Sequence, residues 1–241
     1  MRIENTEVYG FRMALRAMRN PMNSWELGDS TFGNMDIFLG THPNVEAMDI
    51  FANEFPIIGP NDITLALSLI KSGSEHRKFL RQIVVWVDMT LPRYVWQEMD
   101  TYKVATVRNS CSTMHKLGSA ELTLDDFEDG LENRDALLPL IDHMNKLAKR
   151  MKAEKTFDCR RFMKQVLPES FLQKATMTFN YETLLSMLKQ RSSHRLREWK
   201  LGVEGSICNW ISNLPYMAEF YQACQLREGG GCVQIAVGES K

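Results

Sequence analysis

A chain of 241 residues with 44% hydrophobic and 24% charged side chains is long enough to bury a sizeable core, and its balance is that of a folded globular protein. Its 29 Lys and Arg against 30 Asp and Glu leave a formal charge of -1, which removes bulk nucleic acid as the expected main partner while leaving room for a small anion at a local basic cluster. The five cysteines are odd in number and form no CxxC pair, so neither a disulfide framework nor a zinc knuckle is expected; without a long apolar run or signal block, a reducing cytoplasm is the expected location.

From Val8 to Asn20, the apolar Phe11, Leu15 and Met18 alternate with Arg12, Arg16 and Arg19. This reads as an amphipathic helix or strand-to-helix entry whose cationic stripe is solvated or subunit-facing, ended by Asn20-Pro21. Gly28, Gly33, Gly40, Pro43, Pro56 and Gly59 then mark irregular structure up to Pro60. Asn61 is the expected N-cap of the next helix, where Ile63, Leu65, Ala66, Leu69 and Ile70 supply the apolar face and Gly73 the stop. Glu75-His76 follows, and then Ile83 to Val87, β-branched and aromatic, forms the clearest strand.

The stretch from Leu91 to His115 joins that strand to the densest set of anion-capable side chains. Pro92 predicts the first turn of a helix carrying Tyr94, Val95, Met99 and Tyr102 at helical spacing. After Lys103 the residues turn small and hydroxylated (Thr106, Ser110, Ser112, Thr113) around Arg108, Asn109, Cys111 and His115. Such a loop can donate hydrogen bonds to an anion without bulk; a capped helix-to-loop junction with no ligand is the alternative.

Beyond it, Glu121 to Asp129 reads as a solvated acidic linker, and Leu137, Leu138, Ile141, Met144, Leu147, Ala148 and Met151 predict a long amphipathic helix. A short helix over Arg160 to Val166, an interruption at Leu167-Pro168, and an extended run up to Asn180 follow. A helix from Asn180 to Arg191 has a polar residue at each end bracketing a groove. The chain from Arg195 to Cys224 reads as continuing helix, with Leu196, Trp199, Val203, Ile207 and Ile211 inward and Pro215 starting the last segment. One domain is expected over 1–227 and a mobile tail over 228–241, whose three glycines lack the following helix of a phosphate loop. Walker, HExxH, GxSxG and GxGxxG patterns are absent, which removes the usual support for kinase and hydrolase readings.

In order and spacing, Glu75-His76, Thr101-Tyr102-Lys103, the Thr106 to His115 loop, Leu167-Pro168, Asn180 and Arg191 resemble the flavin-dependent thymidylate synthases, also called thymidylate synthase complementing proteins. The resemblance runs from about Ser74 to Trp199. It implies an α/β (α+β) fold with a central antiparallel or mixed sheet flanked by helices, assembled as a homotetramer. It further implies FAD as cofactor, dUMP or a related pyrimidine deoxynucleotide as substrate, and NADPH and methylenetetrahydrofolate as co-substrates. By that resemblance Arg191 is the catalytic residue that polarises dUMP, and Arg108, Asn109, Cys111 and Ser112 stand with it at the nucleotide. His76, Thr101, Tyr102, Lys103 and Asn180 would stand at the flavin. The chemistry suits those residue types, because C5 methylation needs a hydride donor that no side chain supplies, while guanidinium groups and hydroxyls suit a dianionic phosphate.

The family carries Arg-His-Arg where this chain has Thr101-Tyr102-Lys103, so Lys103 alone keeps a positive charge there. Two other readings stay open. One is a flavin-free nucleotide-binding or structural homologue without thymidylate synthase activity, to which the altered motif points. The other is a helical interaction protein with a small sheet, to which the amphipathic run from Asp135 to Cys224 points.

Overall fold

A computed structural model of the chain describes residues 1–33, 50–51, 55–113, 117–154 and 156–226; His115 and the expected tail lie outside them. The strands are β1 (Arg2–Tyr9), β2 (Thr31–Gly33), β3 (Ile50–Phe51), β4 (Phe55–Ile57), β5 (Val84–Pro92), β6 (Val107–Ser110) and β7 (Leu172–Asn180). The α-helices are α1 (Phe11–Ala17), α2 (Pro60–Ser72), α3 (Arg93–Met99), α4 (Arg134–Ala153), α5 (Arg160–Val166), α6 (Tyr181–Arg191), α7 (Ile207–Ser212) and α8 (Met217–Leu226). The large sheet has the order β3-β1-β5-β7-β6, with β1 and β3 parallel and Thr6 opposite Ile50, while β2 and β4 form a small antiparallel pair. The architecture is thus the expected mixed α/β one, a sheet flanked by helices.

β5 and β7, both interior to the sheet, alternate buried and more exposed positions over most of their length. Val85, Val87, Met89 and Leu91 are inaccessible on β5 while Trp86 is exposed, and Ala175, Met177 and Phe179 bury on β7 between exposed Lys174 and Thr176.

The chain divides into two compact units. One comprises Met1–Arg2, Asp88–Lys103 and Arg108–Met177; the other comprises Ile3–Val87, Val104–Val107 and Thr178–Lys241. In the first, α4 buries Leu137, Ile141, Met144 and Ala148, the face its periodicity predicts, against Cys159, Met163, Leu167 and Phe127. α5 stops at Val166 because Leu167 precedes Pro168 and takes an extended conformation. The acidic linker is less solvated than expected: Phe127 is buried edge-on against Phe171 at 5.8 Å, and Glu128 pairs with the amino group of Met1.

In the second unit, α1, α6 and α8 meet around Phe11, Tyr181 and Phe220, where Phe11 and Tyr181 pack edge to face at 5.2 Å. Tyr181 is fully buried, and its hydroxyl donates to the carbonyl of Pro215 at 3.1 Å.

Three expectations change here. The arginine stripe is only partly solvated: Arg12 and Arg16 lie over Phe32 and Trp25, but Arg19 is buried and donates through Nε to Asp62 Oδ1 at 2.7 Å. A partner 43 residues away cannot be read from local periodicity. The N-cap of α2 is Gly59, with Pro60 in the first turn, and Asn61 stands inside the helix. Asp29 caps it from a distant segment by accepting the backbone N–H groups of Asn61 and Asp62, and the Asn61 bond is the main reason its carboxyl lies below the usual range. A Cβ on Gly59 would stand 2.3 Å from Asp29 Cγ, so this approach excludes any larger residue. Finally, the chain after α6 is not continuous helix. Gly202 and Gly205 adopt φ of 81° and 72°, the left-handed turns that glycine permits, and only Ile207–Ser212 is helical before α8. Trp199, Ile207 and Ile211 are nonetheless inward, as expected.

Asp62 also accepts from the N–H and hydroxyl of Ser30. Replacing it strands a buried guanidinium whose Nη2 has no hydrogen-bond partner among the described residues. Asp62→Ala is expected to lower unfolding stability by about 3 kcal/mol or more in urea titration, while Arg19→Met combined with Asp62→Leu loses less than Asp62→Ala alone.

Candidate functional site

The residues singled out from the sequence fall into two groups, one in each unit. In the first unit Pro92 closes β5 and stands at the N-cap of α3, whose opening N–H groups, on Arg93 and Tyr94, donate to the carbonyls of Phe171 and Glu169. The helix buries Val95, Trp96 and Met99 and ends there, about one turn short of the expected Tyr102. The chain closes it early. The Thr101 hydroxyl donates to Glu98 O at 2.7 Å, and the Tyr102 N–H donates to Met99 O at 3.0 Å. Lys103 follows on the surface.

Part of the expected polar loop is a strand. Val107–Ser110 forms the edge strand β6 beside β7, and the Cys111 N–H donates to Lys174 O at 2.9 Å. An edge strand tolerates polar side chains on both faces, which is why its composition reads as a loop. Arg108 is the most engaged residue of this group. Its Nη1 donates to both carboxylate oxygens of Asp100 at 3.0 and 2.8 Å, its Nη2 reaches Gln173 Oε1 at 3.3 Å, and its guanidinium lies 4.0 Å from the Trp96 ring centre. Gln173 in turn donates to Cys111 O at 2.7 Å, and Trp96 Nε1 donates to Gln173 O at 2.8 Å. This network brings Arg108 and Cys111 together, with Asn109, Cys111 and Ser112 exposed along its edge. Asp100 already neutralises Arg108, so an incoming phosphate competes with a carboxylate.

In the second unit, His76 is exposed on a turn held by the N–H bonds of His76 and Arg77 to Gly73 O. Its neighbour Arg77 is buried and grips Glu182, at the start of α6, with three contacts of 3.0 to 3.1 Å, and its Nη1 meets Cys224 Sγ on α8 at 3.1 Å. Asn180 ends β7 and caps α6, its Oδ1 accepting the Thr183 N–H at 2.9 Å. The Thr183 hydroxyl donates to Val104 O at 2.9 Å, pinning the backbone just after Lys103 to the first turn of α6.

Arg191 stands in the last turn of α6, half-buried, with Nη1 3.0 Å from His194 Nε2 and its guanidinium 5.2 Å from the Trp199 ring centre. Burial pushes the nearby Cys208 thiol up to about 12, against the opposing influence of Arg191. His194, Asp100 and Gln173 escaped the sequence reading because their importance lies in what they touch, and no spacing rule announces it.

As a cradle for a flavin diphosphate, the end of α3 fits poorly. The Thr101 hydroxyl is spent on its own helix and Lys103 is the one cation the motif keeps, a point charge without a bidentate fork. Among the described residues no group of three His, Cys, Asp or Glu could hold a metal ion, and no helix is long and apolar enough to cross a membrane.

The sheet order and flanking helices define a fold that occurs in thymidylate synthases and uridylate methylases. The chain is similar in structure to thymidylate synthase X from Helicobacter pylori with FAD and dUMP, with a TM-score of 0.59 and 16% identity over 93% of this chain and 99% of that one. A second structure of the flavin-dependent enzyme from that organism, complexed with FAD and dUMP, gives 0.56 and 16% over 89% and 92%. The UMP/dUMP methylase PolB from Streptomyces cacaoi, bound with 5-Br dUMP, gives 0.57 and 12% over 93% of each chain. No protein-family model and no curated protein matches the sequence.

Cys208 also sets an alkaline limit. Its folded value of about 12 exceeds the ordinary 9.0, so the unfolded chain loses this proton first. The contribution is complete below pH 9.0 and is lost as pH rises through about 12; burial of Tyr181 and Tyr216 acts in the same direction. Thermal unfolding midpoints are expected to fall across that window, and Cys208→Ala should flatten the fall.

Proposed function

We propose that this chain binds dUMP or a closely related pyrimidine deoxynucleotide and acts in reductive methylation at C5 of the uracil. The observation that carries the reading is the fold. It matches over nine-tenths of the chain to proteins whose structures hold dUMP or 5-Br dUMP, a uridylate common to all three. Arg191 is the residue assigned to polarise the nucleotide, supported by its half-buried place at the end of α6, where a guanidinium held over Trp199 is already ordered for an anion. Arg108, Asn109, Cys111 and Ser112 form the second nucleotide-facing set, on one edge of the sheet.

The reaction needs a hydride carrier, and FAD, with NADPH and methylenetetrahydrofolate as co-substrates, would supply that chemistry. His76, Thr101, Tyr102, Lys103 and Asn180 are the flavin contacts that the family resemblance assigns. The thin cation set after α3 favours a second reading, a flavin-free nucleotide-binding homologue. Subunit assembly as a homotetramer and a cytoplasmic location belong to the first reading.

Freshly purified protein is expected to show visible flavin absorption, or to acquire it with added FAD and to lose it in Lys103→Ala. A colourless protein that ignores FAD yet binds dUMP establishes the second reading instead. Calorimetric titration is expected to show Arg191→Ala weakening dUMP binding by about tenfold to a hundredfold. Unchanged affinity in Arg108→Ala would remove Arg108 from the nucleotide site.

A further inference from the structure

Gln173, near the start of β7, makes two side-chain contacts of opposite kind. Its Oε1 accepts from Arg108 Nη2 at 3.3 Å, and its Nε2 donates to Cys111 O at 2.7 Å. A guanidinium only donates and a carbonyl only accepts, so a single orientation of the amide satisfies both. Turned over, it would set N–H groups against the guanidinium and an oxygen against the carbonyl. Methionine has the length of this side chain without its polar atoms, and asparagine has the amide without the reach.

Both ends of the amide's support are fixed. The Cys111 N–H donates to the carbonyl of Lys174, the residue next to Gln173, at 2.9 Å. The Gln173 carbonyl accepts from Trp96 Nε1 at 2.8 Å, and the buried Trp96 ring is the one over which the Arg108 guanidinium lies, 4.0 Å from its centre. Gln173 thus meets Arg108 through its side chain and the ring that Arg108 covers through its backbone. Asp100 does not define the guanidinium by itself: its side chain is 55% exposed, and both its oxygens accept from the one nitrogen Nη1. Trp96 sets the plane, and a second contact at Nη2 is what stops rotation within it.

We infer that Gln173 is the positioning residue of Arg108: anchored on the Cys111 carbonyl, its amide oxygen fixes the orientation of the guanidinium for the phosphate of a uridylate. This rests on the reading of Arg108 as a nucleotide contact. Nη2 carries two N–H groups, and Gln173 takes one of them. The second is the donor that this arrangement offers to a phosphate oxygen while Asp100 keeps Nη1. Without the amide, Arg108 retains its charge, its ring and its carboxylate but loses the contact that aims Nη2.

The test is a double-mutant cycle read by calorimetric titration with dUMP: wild type, Gln173→Met, Arg108→Ala and the two combined. Gln173→Met is expected to bind about fivefold more weakly than wild type and Arg108→Ala about tenfold more weakly. The combined variant is expected to match Arg108→Ala within about twofold, because Gln173 has nothing left to position once Arg108 is gone. Effects that multiply in the combined variant would show that Gln173 acts on binding apart from Arg108, and would overturn the proposal. So would wild-type affinity in Gln173→Met beside a loss in Arg108→Ala; in both cases Arg108 keeps its nucleotide role. If Arg108→Ala binds like wild type, Arg108 leaves the nucleotide site and the positioning role goes with it, while dUMP binding by the chain stands. If wild type itself binds no dUMP, the functional reading falls and takes this proposal with it. Should circular dichroism show Gln173→Met to be unfolded, Gln173→Asn, too short to span both partners, is carried through the same cycle with the same outcomes.

Discussion

The buried pair between Arg77 and Glu182 holds the second unit in register. It joins the turn that carries His76 to the first turn of α6, and through the Cys224 sulfur it reaches α8. Removing one partner would leave the other charge largely buried without its counter-charge, which is costly. Burial alone works against the Arg77 cation, and the Glu182 contacts overcome it, so the guanidinium stays charged. Two residues assigned to the flavin depend on this pair: His76 is adjacent to Arg77, and Asn180 lies two residues before Glu182.

Arg108 and Arg191 show how one residue type takes on different tasks. Arg108 is neutralised by Asp100, stacked on Trp96 and tied through Gln173 to the backbone of Cys111, so it organises the sheet edge before it can serve a ligand. Arg191 faces an imidazole and an aromatic ring, contacts that orient its guanidinium.

The altered motif at the end of α3 has a structural counterpart. In place of two arginines and a histidine, the chain has a hydroxyl that closes the helix, a half-buried phenol and one surface lysine. The chain shares the fold of those thymidylate synthase structures, and the uridylate is the ligand that the structural neighbours have in common.

Local periodicity determined a good deal by itself: the buried strand β5, the inward face of α4, the stop of α5 before Pro168, and the span of α6 between Asn180 and Arg191. Each is set by neighbours within a few residues, where apolar spacing and proline geometry act. The order of chemical groups along the chain also sufficed to suggest the fold. Tertiary structure alone decided that Arg19 is buried on Asp62, that Asp29 caps α2, that part of the polar loop is an edge strand, and that Arg108 answers to Asp100 while Arg191 answers to His194. The physical reason is common to all of these. A charge or a cap is defined by the partner within about 3 Å, and where that partner is distant in sequence or depends on how a turn folds, the linear order of residues does not record it.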